Sequence, residues 1–114
     1  MEDSLTKITE KNFESIKHTD ENGVEFWYAR ELMQVLGYTK WGNFKKVIGK
    51  AKETCKGSNI NEREHFADVG RVLTVGNNAK MKVDDIALTR YACYVIAQNG
   101  DSRKKTIAMA QTYF

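Results

Sequence analysis

Apolar and polar residues alternate at two distinct periods along the chain, and each period points to an element. "VEFWYA" (residues 24–29) is a short β-prone run, while "FESIKHT" before it alternates only imperfectly through Phe13, Ser15 and Ile16. "DENG" lies between them. Its Asn22-Gly23 pair is the strongest hairpin signal in the chain, because the favoured tight turn needs positive φ at its centre. "ARELMQVLG" changes to a helical period: Leu32, Val35 and Leu36 recur on one face, and Gly37 suits the position just past a helix end. "WGNFKKVIGKAKETCK", read as a helix, gathers Phe44, Val47, Ile48, Ala51 and Cys55 into a stripe about 100° wide.

The second half carries the same vocabulary. "GSNINERE" (57–64) is a polar loop, and "HFADVGRVLTV" reads either as a helical turn followed by a strand or as a strand alone. After "GNN", the run "AKMKV" alternates Met81 and Val83 against Lys80 and Lys82, as a half-exposed strand does. "TRYACYVIAQNG" is apolar nearly all round, which predicts a buried central helix closed by Asn99-Gly100. Asp101 or Ser102 offers a cap for a last helix, "RKKTIAMAQTYF", with Ile107, Ala110, Gln111 and Phe114 on one face. That helix has no stop signal and leaves an exposed aromatic at Phe114, so the expectation is a domain cut from a longer protein. Residues 1–12 read as a polar segment, a short helix or a frayed end, and 13–114 as one domain. The fold class is α+β: short antiparallel β-hairpins packed with about four to five helices. Without regular βαβ alternation, a parallel doubly wound sheet is excluded.

Composition agrees with one globular core. A chain of 114 residues, 41% hydrophobic and 11% aromatic, is long enough to bury one. No apolar run approaches the roughly 20 residues that span a bilayer. "MEDSLTKITEKNFES" lacks the basic start and apolar stretch of a signal peptide, so the expected location is cytoplasmic, with no membrane partner. Cys55 and Cys93 stand far apart without a partner motif and read as buried free thiols.

Charge changes the picture more. The formal net charge is only +3, but residues 1–39 hold four basic and eight acidic residues and 40–114 hold fourteen and seven. Such asymmetry points toward nucleic acid or an acidic protein surface. The basic excess is densest in "LGYTKWGNFKKVIGKAKE" (36–53), with five lysines and no acid before Glu53. On the helical projection Lys45, Lys52 and Lys56 border one side of the apolar stripe, Lys46 and Lys50 lie on the far side, and Glu53 falls between. Two readings stand. The face is a solvated lysine surface, or it binds DNA phosphates with little sequence choice, since lysine lacks a bidentate base-reading geometry. Trp41 likewise either anchors the helix to the core or stacks on an unpaired base. The candidate DNA-binding set is Lys40, Trp41, Lys45, Lys46, Lys50, Lys52 and Lys56, extended by Arg71, Lys80 and Lys82. Helix, glycine turn, helix is also the outline of a helix-turn-helix unit.

Catalytic chemistry is not indicated. His18 and His65 lack cysteine or carboxylate partners at metal-ligand spacing, and "EREH" (62–65) does not have the His-x-x-x-His spacing of a helical zinc site. Cys93 sits among Tyr91, Tyr94, Val95 and Ile96, where a thiol packs and does not react. Gly76-Asn77-Asn78 is a turn and not a phosphate loop. The expectation is a non-enzymatic protein without metal or cofactor.

"FWYARELMQVLGYTKWGNFKKVIGKAKE" and "LTRYACYVIAQNGDSRKKTIAMAQTYF" together resemble the DNA-damage-inducible protein D family, whose N-terminal part is a Bro-N-type domain. The resemblance covers roughly residues 13–114. "RYACYVIAQNGD" and "AQTYF" carry it at family level, and "ARELMQVLGYTKW" is shared more loosely with viral Bro proteins and phage antirepressors. It implies a bacterial DNA-damage (SOS) response protein, linked to modulation of the strand-exchange recombinase on single-stranded DNA, in a protein longer than this chain. DNA binding is what Bro-N domains imply as a class. The alternatives are a protein-interaction module that meets the recombinase filament without touching DNA, and a homodimerising domain that uses an exposed strand or the last helix.

Overall fold

The computed structural model describes residues 12–114. The reading of the polar N-terminal segment falls, apart from Asn12, outside the described residues. From Asn12 the chain makes a helical turn over residues 12–15. It then forms β1 (His18–Thr19), β2 (Glu25–Tyr28), α1 (Ala29–Leu36) and α2 (Trp41–Gly57). β3 (Phe66–Val75), β4 (Ala79–Leu88), α3 (Arg90–Gln98) and α4 (Lys105–Tyr113) complete it. The four strands form one antiparallel sheet in the order β1-β2-β4-β3, so the fold is α+β.

The first hairpin forms around Asn22-Gly23, with His18 opposite Phe26 and Thr19 opposite Glu25. The Asp20 carboxylate ties the loop by accepting from the backbone N–H of Asn22 at 2.8 Å and of Val24 at 2.9 Å. Phe13 to Ser15 are helical rather than extended, which explains why their alternation was imperfect. This turn buries Phe13 fully, and the Trp27 indole Nε1–H donates to the Phe13 carbonyl at 3.0 Å. A large ring is thereby buried with its one donor satisfied.

α1 ends where Gly37 turns left-handed at φ +87°, a conformation that costs glycine little. Its last carbonyl, from Leu36, accepts from the Thr106 hydroxyl at 3.1 Å, so α4 closes the end of α1. The apolar stripe of α2 falls as the spacing implied: Phe44, Ile48, Ala51 and Cys55 are buried and Val47 is partly covered. α3 is the central helix, with Ala92, Cys93, Val95, Ile96 and Ala97 buried. The Thr89 hydroxyl caps it by accepting from Ala92 N–H at 3.1 Å.

"HFADVGRVLTV" resolves into a 3-10 turn at Glu62–Glu64 followed by a strand from Phe66, and "AKMKV" is the start of a ten-residue strand. β3 and β4 pair along their whole length from Phe66↔Leu88 to Val75↔Ala79, turning through Gly76–Asn78 with Asn77 and Asn78 at positive φ. β2 meets β4 only at Trp27↔Leu88 and Tyr28↔Ala87. Beyond that junction β3 and β4 run on as a two-stranded arm. Trp27, Phe66, Ile86 and Leu88 are buried in the core with the helices.

Two expectations at the last helix are corrected. Lys104 stands at the N-cap of α4 with no side-chain cap. Asp101 instead accepts from the Arg103 backbone N–H and pairs with its guanidinium at 3.0 Å, and the Ser102 hydroxyl accepts from the Gln111 amide at 3.0 Å. Phe114 is not an exposed end. It is partly buried, with ring centroids 5.1 Å from both Phe13 and Trp27.

Candidate nucleic-acid interface

α2 divides its circumference as its sequence dictates. Lys40, Lys45, Lys46 and Lys50 are exposed, and among the described residues none of the four has an ion pair or hydrogen bond through its ammonium group. Lys52 is half-buried, its ammonium 5.9 Å from the centre of the Phe66 ring, and Lys56 pairs with Glu62 at 3.3 Å. Trp41, in the first turn, is half-buried. Its ring lies 6.4 Å from that of Phe44, and the Arg30 guanidinium sits 4.3 Å from its centroid. Arg30 is fixed in turn by donating from Nε to the Asp84 carbonyl at 2.6 Å.

The arm adds a second basic element. Strand alternation and the β3–β4 register put Lys80 and Lys82, with Thr74, Gly70, Asp68 and Asp84, on one face of the ribbon. That face continues into buried Phe66, Ile86 and Leu88, and is therefore the face on which the helices pack. Lys80 donates to the Thr74 hydroxyl at 2.9 Å, and Lys82 is exposed without an ion pair among the described residues. Arg71 belongs to the opposite face. It donates to the Asp85 carboxylate at 3.0 Å and lies 3.7 Å from the centre of the Tyr28 ring.

Asp85 is the buried polar residue of the core: its side chain is inaccessible and accepts from three donors. These are Arg30 N–H at 3.0 Å, Ile86 N–H at 2.8 Å and the Arg71 guanidinium. It fixes the start of α1 to the base of the arm.

Between α2 and the arm lies a cleft of about 510 Å³. Trp41 and Lys45 line it from the helix, and Asp68, Gly70 and Asp84 from the ribbon. Among the described residues no group of His, Cys, Asp and Glu could hold a metal ion. Cys55 and Cys93 are buried free thiols, and burial pushes both above the ordinary thiol range, Cys93 well above it. Among the described residues no helix is long and apolar enough to cross a membrane.

The family model described as the BRO family, N-terminal domain, matches residues 15–114. The chain belongs to the Bro-N family. DNA damage-inducible protein D of Escherichia coli (strain K12) is 45% identical to it over 102 residues, covering 90% of this chain and 37% of the relative. The chain thus spans little more than a third of that relative's length. No solved structure matches.

In this Bro-N domain the structure brings Trp41 and Lys45 to one cleft with Asp68, Gly70 and Asp84, and places Lys80 and Lys82 farther out on the same ribbon face. It leaves Lys46 and Lys50 farther round α2, and Arg71 on the other side of the sheet. Sequence reasoning passed over Arg30, Asp68, Gly70 and Asp84. Gly70 alone carried a signal, since glycine inside a strand pattern often marks a close approach to the backbone.

Proposed function

We propose that this Bro-N domain binds DNA through the lysine surface of α2 and the helix-facing side of the β3–β4 arm. Lys40, Lys45, Lys46, Lys50, Lys80 and Lys82 contact phosphates, Lys52 and Lys56 flank them, and Trp41 borders the surface. The carrying observation is that Lys40, Lys45, Lys46 and Lys50 of α2 are exposed and free of intramolecular ion pairs among the described residues. Charges already neutralised within the fold release no counterions on binding, which is why Arg71 contributes little here. The name of the Escherichia coli relative supports a role in the response to DNA damage.

Fluorescence anisotropy with labelled single- and double-stranded DNA across a salt series tests the reading. Affinity falls about 20-fold on single strands and about 40-fold on duplex for each doubling of salt, the slopes of six neutralised phosphates. Replacing Lys45, Lys46 and Lys50 together by Glu lowers affinity at least tenfold and leaves the thermal midpoint in place. No binding at low salt, or unchanged binding by the triple variant, sinks the reading.

A second reading is favoured by the other face of the sheet. There Val24, Phe26 and Tyr28 line a trough edged by Asp20 and Glu64, a surface suited to an apolar, basic protein segment. The strand-exchange recombinase is the partner that the family resemblance supplies. Co-sedimentation with recombinase filament that is lost on Val24→Asp, with DNA affinity unchanged, distinguishes this reading from the first.

A further inference from the structure

We propose that the cleft between α2 and the arm is a pocket for one unpaired nucleobase bearing an exocyclic amino group, cytosine foremost. The inference rests on the DNA-binding reading and names what one part of that surface recognises.

Asp68 and Asp84 are the anomaly. Both are exposed, both line the cleft that Lys45 also lines, and neither carboxylate has an ion pair or hydrogen bond among the described residues. Against phosphate they are repulsive, so on a purely phosphate-binding surface they only weaken it. Carboxylates are acceptors, and the bases that present a matching donor are those with an exocyclic amino group, with cytosine N4 the one a carboxylate characteristically reads. Thymine presents a carbonyl oxygen at that position, which a carboxylate repels. A metal cation is the other natural ligand for two carboxylates, but among the described residues no group of His, Cys, Asp and Glu could hold one.

The rest of the cleft fits the same ligand. Its volume lies within the roughly 300–1,000 Å³ of small-molecule clefts. Trp41 supplies an aromatic wall, and Arg30, which covers part of the indole, does not line the cleft. Base-on-indole stacking therefore has a surface distinct from the one Arg30 occupies. Lys45, one turn along α2, stands where the adjoining phosphate would pass. Gly70 removes a side chain from the opposite wall, and a Cβ built there meets nothing within 4 Å. The strand thus keeps room for a ligand and not for a neighbour.

The test uses the whole chain with (dC)15 and (dT)15 at one salt concentration, read by anisotropy and by tryptophan fluorescence. Trp27 is fully buried, so Trp41 is the indole that responds to a stacked base. The (dC)15 oligomer binds about tenfold or more tightly than (dT)15 and quenches the emission more strongly. Asp68→Ala with Asp84→Ala, which removes both acceptors, brings the ratio close to one while (dT)15 affinity holds or rises. Gly70→Val lowers (dC)15 affinity toward that of (dT)15. Equal affinity for the two oligomers, a preference that survives the double variant, or (dC)15 binding without quenching overturns the pocket. If both oligomers bind equally with the steep salt slope, the pocket alone fails. If neither binds at low salt, the lysine-surface reading fails with it.

Discussion

Asp85 joins three parts of the fold through one buried carboxylate. It is inaccessible, yet it meets the start of α1, its own strand and Arg71. Removing it strands three donors, and Arg71 keeps a charge that is only 20% exposed. Asp85→Ala therefore costs about 3 kcal/mol in urea unfolding, in the range for breaking a buried pair from one side. Arg71→Met, which leaves the inaccessible Asp85 carboxylate without its cation, costs about 3 kcal/mol by the same measurement. None of this was legible in "VDDIAL": two adjacent aspartates look alike until burial separates them. Lys45 and Lys50 were legible, because an exposed lysine needs only a helical period to be placed. Arg71 looked like the lysines in sequence, and only the strand register put it on the opposite face.

The elements were read more reliably than their ends. Asn22-Gly23 marks the first hairpin, although its leading strand shrinks to His18–Thr19. α1, α2 and α3 follow from period and punctuation, since each buries a face that its own sequence marks. The start of α4 did not, because Asp101 and Ser102 spend their capping groups on Arg103 and Gln111. What fixes the turn into α4 is space. A Cβ at Gly100 would lie 2.9 Å from Ile107 Cγ2 and 3.1 Å from its Cδ1, and Ile107 is buried. Gly100→Ala therefore destabilises by about 1–2 kcal/mol through overpacking, with a matching fall in thermal midpoint. Gly70→Ala, in open space, leaves the midpoint within a degree or two. The cleft itself was invisible to pattern reading, because it forms between α2 and residues far along the chain from it.

Across the whole molecule, Arg90 ties the first half of the chain to the second. Its guanidinium donates to Glu25 at 2.6 Å and 3.3 Å and to the Tyr113 carbonyl at 3.3 Å, and it lies 5.1 Å from the Trp27 ring. That hydrogen bond holds the Glu25 carboxyl below its ordinary value of 4.5, against the opposing effect of desolvation. Glu14, bonded to the Tyr113 hydroxyl, is lowered as well. A carboxyl lowered in the folded state binds fewer protons there than in the unfolded chain. Its stabilisation is complete above pH 4.5 and disappears as pH falls through the folded value. The thermal midpoint accordingly drops more steeply between pH 5 and pH 3 in the wild-type chain than in Glu25→Gln. Equal slopes would show that the pair is too well solvated to matter. The α+β class was readable from the order of short strands and helices. The partnership of Glu25 with Arg90 was not, because opposite charges 65 positions apart carry no local pattern.

The two-residue junction between β2 and β4 has a consequence for motion. Past Tyr28 and Ala87 the arm is held only by its own cross-strand bonds and by contacts at its base, so every second amide on each strand faces outward. Amide hydrogens near Phe66 and Leu88 exchange with solvent only when the core opens. Those approaching Asn77 exchange through brief local openings that leave the helices intact. Protection thus declines along the ribbon toward its tip, and a nucleic acid seated between arm and helix would level that gradient.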